Sequence, residues 1–420
     1  MSKLTTYKFD KLYRMSSGIS SKPEQAGHGS PFLSFSTVYS NYFIPEELDE
    51  LMDTSEEEQH KYSILEGDIF LTRTSEVIDE LAISSVALKN YPNATYSGFL
   101  KRLRPLQDDI TYHKFMAFYL RSKLFRKTMT NNAVLTLRAS LNENIFSYLD
   151  LILPDYKEQV KIGDLLYLTN QKIELNNRIN AKLEAMAKTL YDYWFVQFDF
   201  PDENGKPYKS SGGKMVYNPI LKREMPEGWK AKELGQVLTI VRGASPRPIQ
   251  NFLSDKGLPW IKISDATSSN NRFITETKQF IIKEGKTKTR YVIPDTLILS
   301  NSATPGLPRI AKINAGVHDG WLIILDYTSG LTQEFMYHYF IYEYSRIVCL
   351  GNGSIFKNLK TDYVKSLKIA LPPKHILKKA TEKFRNISEL IYTRTKENQQ
   401  LIQLRDWLLP MLMNGQVTVK

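Results

Sequence analysis

The chain has 420 residues, 42% hydrophobic and 24% charged, with 56 Lys and Arg against 45 Asp and Glu, a net charge of +11 and a pI near 9.2. That length allows two or three separately cored domains of ordinary globular composition, and the basic balance favours a polyanionic partner, because clustered Lys and Arg displace counterions from a phosphate backbone. The single cysteine, Cys349, excludes a disulfide framework and a cysteine-rich zinc site, and the polar start MSKLTTYKFDKLYR with only short apolar runs predicts a cytoplasmic protein with no membrane partner.

Residues 1–154 alternate short β-rich runs, at 32–39, 69–74, 84–89 and 97–103, with one helical stretch at 112–128, the pattern of an α+β domain. The acidic run 46–58 reads as a solvated helix or loop. This domain holds 17 basic against 19 acidic residues, whereas 229–372 holds 19 against 11. A polyanion would therefore meet the first domain at a local patch, for which Lys101, Arg102, Arg104, Arg121, Lys123, Arg126, Lys127 and Arg138 are candidates.

From residue 155 to 198 no proline and only Gly163 interrupts the pattern, so a single helix of about 40 residues and about 60 Å is predicted. Its apolar positions fall at gaps of three and four: Ile162, Leu166, Ile173, Ile179, Leu183, Met186, Leu190 and Trp194, with Thr169 and Asn176 as polar interruptions. Such a seam predicts a coiled coil whose polar positions fix register. Residues 201–228, rich in Gly, Pro, Ser and charge, read as a linker or surface excursion. A second domain, 229–372, has strand-like runs at 259–264, 296–300 and 321–325 and a helical stretch at 333–348. The chain closes on residues 373–420, whose stripe is Ala380, Phe384, Ile387, Ile391, Leu401, Leu404, Leu408 and Leu412, with Arg394 and Glu397 polar in its middle.

The two halves repeat. The distal stripe is the central one displaced by 218 residues, Leu166 onto Phe384, and TLRASLNENIFSYLDLILP (136–154) aligns at the same offset with SIFKNLKTDYVKSLKIALP (354–372). Upstream the offset drifts to between 222 and 230, with Tyr7-Lys8 on Trp229-Lys230, Leu12 on Leu234, Gly29-Ser30-Pro31-Phe32 on Gly257-Leu258-Pro259-Trp260, and Gly67-Asp68-Ile69-Phe70 loosely on Pro294-Asp295-Thr296-Leu297. A period near 220 is a duplicated domain plus helix, not a solenoid. The expected fold is α+β: two similar globular domains separated by a long antiparallel two-helix coiled coil, able to read two short sequences at a fixed separation.

The segments KIELNNRINAKLEAMAKTLYDYWFVQFDF (172–200), LIQLRDWLLPMLMNGQV (401–417) and RGASPRP (242–248) resemble the specificity (S) subunits of type I restriction-modification enzymes, and the likeness runs through the whole chain. It implies a first target-recognition domain (1–154), a central conserved helix (155–200), a linker (201–228), a second target-recognition domain (229–372) and a distal conserved helix (373–420). It also implies a non-catalytic subunit that reads a bipartite duplex DNA site, sets the spacer with its helices and docks two methyltransferase (M) subunits, to which restriction (R) subunits add. S-adenosylmethionine, ATP and Mg would then belong to those partners and no cofactor to this chain. The distal copy, 373–400, keeps the family's helix wording less closely than the central one.

The residues offer no chemistry of their own. His28, His60, His113, His318, His338 and His375 contain no pair at metal-ligand spacing, so no metal site is expected. Gly351-Asn352-Gly353-Ser354 reads as a turn rather than a phosphate loop, and there is no P-loop and no Asn-Pro-Pro-Tyr or Asp-Pro-Pro-Tyr segment. No catalytic residue is expected. The cluster Tyr191, Tyr193, Trp194, Phe195, Phe198 and Phe200 reads as core or a partner interface before a base-stacking platform.

DNA contacts are expected on loops after strands, where guanidinium and amide groups read base edges and hydroxyls and Lys hold phosphates. In the first domain these are Ser36, Thr37, Thr72, Arg73, Thr74 and Ser75. In the second they are Arg247, Lys262, Ser264, Ser268, Ser269, Asn270 and Asn271, then Lys286, Lys288 and Arg290, then Ser300, Asn301 and Ser302. About a third of them should touch DNA, mostly at phosphates. The other reading, a protein-assembly scaffold without sequence readout, predicts binding with neither salt dependence nor sequence preference.

Overall fold

The computed structural model describes residues 4–75, 80–132, 134–135, 139–140, 146, 148–267, 271–351 and 358–419. The chain divides into two compact units, Met1–Leu175 with Asn398–Lys420, and Asn176–Glu397. Both crossings between units fall inside long helices, Tyr156–Tyr191 and Lys374–Met413.

In the first unit four antiparallel strands stand in the order Tyr13–Ser17, Leu100–Pro105, Ile69–Thr72, Ser84–Val86. The second unit repeats that order with Thr239–Arg242, Trp321–Leu325, Thr296–Ser300 and Pro308–Ala311, and adds Phe273–Ile274 at the edge. Strands Ile69–Thr72 and Thr296–Ser300 are apolar runs because both faces are covered: side chains alternate across a strand, so Ile69 and Leu71 enter one core while Phe70 enters another. Leu297 and Leu299 part from Ile298 in the same way.

Each unit is closed by an antiparallel pair from its two ends, Leu4–Lys8 with Asp150–Pro154 and Lys230–Glu233 with Lys368–Leu371. These pairs refine the repeat. Phe9 N–H donates to Leu149 O at 3.0 Å and Leu234 N–H to Leu367 O at 2.8 Å, so Phe9, not Leu12, holds the place of Leu234. Sequence matching slipped here because Leu12 is also buried in the same core.

Some expected strand residues are helical. Ser34 accepts from Thr37 N–H at 3.4 Å and starts a helix at Phe35–Ser40, so the run 32–39 is strand only through Leu33. Likewise Leu258–Ile261 gives way to the helix Ile263–Thr267. The stretch 112–128 is two helices, His113–Tyr119 and Lys123–Asn132, where the second unit has one, Gln333–Gly351. Residues 201–228 carry an antiparallel hairpin, Met215–Asn218 with Arg223–Pro226, that buries Met225 against the second unit's core.

The first long helix starts where Asp155 Oδ1 accepts from Glu158 N–H at 2.9 Å, and beyond Tyr191 it runs on as a π turn, Asp192–Val196. In the first unit Ile162 and Leu166 share a core with Leu409 and Leu412, and in the second Leu183, Leu190 and Ile387 pack against the core that holds Phe384 and Ile391. Polar seam residues pair as well: Asn176 Nδ2 donates to Glu397 Oε2 at 2.8 Å, and Asn398 Nδ2 to Ile173 O at 3.3 Å. Two expected seam residues face solvent, Met186 at 60% and Leu404 at 50% exposure, while Ala187 and Leu409 are buried. A straight helix drifts about 20° per heptad from a 3.5-residue repeat, so a strict heptad does not place every seam residue; the positions after each exception, Leu190 and Trp194, and Leu408 and Leu412, return to a core. The aromatic cluster after Tyr191 is core against Trp229 and Phe335, with only Tyr193 exposed.

Candidate nucleic-acid interface

In the second unit the strands Ala315–Val317 and Trp321–Leu325 are joined by the turn His318-Asp319-Gly320. Gly243, at the start of RGASPRP, lies against this turn: a Cβ there would stand 2.2 Å from His318 O. Only glycine allows that approach. It brings the motif's polar groups onto Asp319, whose Oδ1 accepts from Ser245 Oγ at 2.7 Å and whose Oδ2 accepts from Arg247 Nη2 at 3.2 Å. The Asp319 carbonyl accepts from Arg242 Nε at 2.8 Å and from Asn301 Nδ2 at 3.1 Å.

His318 Nδ1 accepts from Gly320 N–H at 2.8 Å, which leaves the neutral ring's proton on Nε2, 3.2 Å from Asp319 Oδ1. Burial holds His318 below its ordinary pKa, against the pull of Asp319. Burial opposes ionisation of Asp319, yet the Ser245 hydroxyl, His318, Arg247 and Arg242 together hold its carboxyl below the usual range. A charged carboxylate thus orients the exposed Arg247, and a base or phosphate has to compete for that guanidinium.

Of the expected second-domain residues, Arg247, Asn301 and Ser302 meet at this turn, and Arg290 joins them through Nε, which donates to Arg242 O at 3.1 Å. Lys286 and Lys288 are exposed, with their ammonium groups over Tyr291 and Phe252 at 4.9 and 4.6 Å. Lys262 Nζ donates to Gln279 Oε1 at 3.2 Å, beside Trp260. Ser264 is exposed on its short helix, whereas Asn271 Oδ1 is occupied by Phe273 N–H at 3.2 Å. Ser300 is fully buried; it donates to Thr304 O and accepts from Leu307 N–H at 2.9 Å, closing its loop, so it is not a DNA contact. Ser268, Ser269 and Asn270 lie outside the described residues, as do residues 352–354 of the expected glycine turn.

The first unit builds the same frame. A Cβ on Gly18 would stand 2.2 Å from Ser97 O in the turn Ser97-Gly98-Phe99, and Arg73 N–H donates to Phe99 O at 2.8 Å, as Asn301 N–H does to Gly320 O at 2.8 Å. Thr72 matches Ser300, with its hydroxyl donating to Glu80 O at 2.5 Å and accepting from Ile83 N–H at 2.9 Å. It too is buried and structural, a correction to its expected role. Arg73 is half-buried with Nη1 on Gly98 O at 3.4 Å. Thr74 and Ser75 form a short strand paired to Ala139–Ser140, and Ser36 and Thr37 lie on the helix capped by Ser34, both hydroxyls in its hydrogen-bond network.

The basic patch expected in this unit is largely consumed within the protein. Arg104 makes a forked pair with Asp68 at 2.7 and 2.6 Å, Arg102 Nη1 donates to Ser63 O at 2.5 Å, and Arg126 donates to Leu81 O. Arg121 clamps the carbonyls of Ser84, Val38, Tyr39 and Asn41, and burial pushes its pKa down to about 10. Lys101 Nζ donates to Ser17 Oγ at 2.8 Å, next to the turn. Lys123 and Lys127 are exposed, and Arg138 lies outside the described residues. Sequence reasoning by residue type missed Ser17, Phe99, Arg242, Ser245, His318 and Asp319; the signal for two of them, Arg242 and Ser245, was the RGASPRP motif itself.

Among the described residues no group of three His, Cys, Asp or Glu is arranged to hold a metal ion, and no helix is long and apolar enough to cross a membrane.

Two stretches of the chain, 14–185 and 226–403, match the type I restriction modification DNA specificity domain. The chain is 25% identical over 363 residues to the type I restriction enzyme MjaIX specificity subunit of Methanocaldococcus jannaschii, covering 84% of this chain and 79% of that protein. It is 24% identical over 419 residues to the putative MjaX specificity subunit of the same organism, covering 98% and 92%. Its fold matches the crystal structure of the type I restriction-modification system S subunit from M. genitalium, with a TM-score of 0.60 at 14% identity over 98% of this chain and 96% of that one.

Proposed function

The chain belongs to the type I restriction-modification DNA specificity family, and on that premise we propose that it reads a bipartite duplex site, one half with each repeated domain. Sequence-specific DNA recognition is the function of such a subunit. The observation that carries the bipartite reading is the pair of turns at 97–99 and 318–320, which sit in the same hydrogen-bonded frame and present different side chains. A frame held constant under changing tips suits two different half-sites.

In the second domain, residues 229–372, Arg247 and Arg290 would read guanine edges, for which a guanidinium offers two parallel donors, and Lys286 and Lys288 would hold phosphates. In the first, residues 1–154, Ser36, Thr37, Arg73 and the strand Thr74–Ser75 flank the corresponding face. The conserved helices, 155–200 and 373–420, pair antiparallel, set the unspecified spacer between half-sites and dock two methyltransferase subunits. Restriction subunits would join that complex in the cytoplasm. This chain supplies no catalytic group and no cofactor; methyl transfer with S-adenosylmethionine, and cleavage with ATP and Mg, belong to the partners.

The test is a footprint of the full chain assembled with its methyltransferase subunits. The expected result is two short protected tracts in which base identity matters, separated by bases that can be changed at will. A single uninterrupted target would overturn the proposal.

A further inference from the structure

Phe99 is 60% exposed at the tip of the first unit's turn, yet its backbone is fixed. Its N–H donates to Ser97 Oγ at 3.2 Å and its carbonyl accepts from Arg73 N–H at 2.8 Å. On either side, Gly98 N–H donates to Ile19 O at 2.7 Å and Leu100 N–H to Ser97 O at 2.9 Å. A Cβ on Gly98 would stand 2.8 Å from Ile19 O, so the turn is boxed in by backbone. A phenyl ring is therefore held out to solvent on a backbone that has little freedom left to lose on binding.

The second unit puts Gly320 at this position: the two carbonyls accept the same bond from Arg73 and Asn301, and the next residues, Leu100 and Trp321, pair with Thr72 and Ser300. The groups bonded around the ring's base are polar or cationic, with Arg73 on the Gly98 carbonyl and Lys101 on Ser17. That setting suits a base stacked against a phosphate backbone better than an apolar protein surface.

We propose that Phe99 is an aromatic wedge that stacks on a base or base step in the half-site read by the first unit, a contact the second unit lacks because Gly320 stands in its place. This rests on the DNA-reading function proposed above. Aromatic rings stack on any base and can enter a base step, so the contact adds affinity and a preference for easily unstacked steps rather than a hydrogen-bond code.

The test uses the full chain with its methyltransferase subunits on a duplex carrying the recognised site, comparing Phe99→Ala, Phe99→Leu and Phe99→Trp. Phe99→Ala should weaken binding about tenfold to a hundredfold, Phe99→Trp should retain it and Phe99→Leu should fall between. The slope of affinity against salt should stay unchanged, because no phosphate contact is removed. 2-Aminopurine stepped through that half-site should change fluorescence at one position in the wild type and not in Phe99→Ala. If Phe99→Ala binds the site as the wild type does, or loses methyltransferase assembly instead, the wedge is overturned while DNA reading stands. If the wild type itself prefers no sequence, both fall.

Discussion

Arg272 and Glu184 give a sharp prediction about what fastens the second recognition sheet to its helix. Arg272 precedes the edge strand Phe273–Ile274, its side chain is 1% exposed, and its guanidinium lies 4.3 Å from the Tyr337 ring centroid. Glu184, on the first long helix, receives Arg272 Nε at 2.5 Å and Nη2 on its other oxygen. Removing one partner of a buried pair strands a charge and costs about 3–5 kcal/mol. Glu184 is 35% exposed and the Tyr337 contact survives, so water and the ring offset part of that loss. Glu184→Met should therefore cost about 2–3 kcal/mol, or roughly 4–12 °C in melting temperature for a unit of this size. The double variant Glu184→Met with Arg272→Met should recover much of it, since no unpaired charge remains. Calorimetry of the full chain measures both. If the single variant loses less than about 1 kcal/mol, or the double is no better than the single, the pair is not the tie described.

Three further outcomes follow, one from a buried carboxyl and two from glycines. Glu343 has a side chain 7% exposed with Arg346 Nη1 at 3.3 Å, and burial raises its pKa above the ordinary 4.5 in spite of that neighbour. A raised carboxyl makes the folded state the tighter proton binder, so stability is lost as pH rises through the window from its unfolded to its folded pKa. Glu343→Gln, which mimics the neutral acid, should melt higher at pH 7 and lose that advantage well below pH 4.5, and equal melting at pH 7 would contradict the assignment. Gly243→Ala should displace the turn carrying Asp319, costing about 1–3 kcal/mol and weakening readout of the second half-site only, because its Cβ would meet His318 O at 2.2 Å. Gly18→Ala should do the converse through Ser97 O. Binding to duplexes with one half-site scrambled separates the two effects.

The repeat was legible because duplication leaves a displacement that any strong apolar pattern reports: Leu166 and Phe384 are each in the core of their own unit. The hydrogen-bond geometry of the candidate interface was not. Thr72, Ser300 and Arg121 have the residue types of DNA readers, yet loop closure and backbone carbonyls engage them within the protein. Asp319, an acid, is not the residue type that a search for DNA contacts selects, although it is the group that gathers Ser245 and Arg247. The better signal lay in glycine. Gly18 and Gly243 touch equivalent turns because a side chain at either position would strike a carbonyl, and such contacts mark where two loops are forced together.

The two units are joined covalently at two points only, between Leu175 and Asn176 and between Glu397 and Asn398, both inside long helices. Contacts on either side of those points pair one helix with the other, Asn176 with Glu397 and Asn398 with Ile173. If the paired helices set the spacer, equal deletions in both should change spacing and nothing else. A seven-residue deletion keeps the seam on the same face, since seven residues are close to two turns, and removes about 10 Å of helix. The methylated site should then lose about three unspecified base pairs, taking 3.4 Å per pair, while both half-sequences persist. A four-residue deletion also shortens the helices, by about 6 Å, but rotates the seam by roughly 40° and should lower stability as well. Sequencing methylated DNA from cells carrying each variant with its methyltransferase reads spacing and sequence together. A change in the bases recognised with the spacing intact would show that the helices position the reading loops rather than measure the gap.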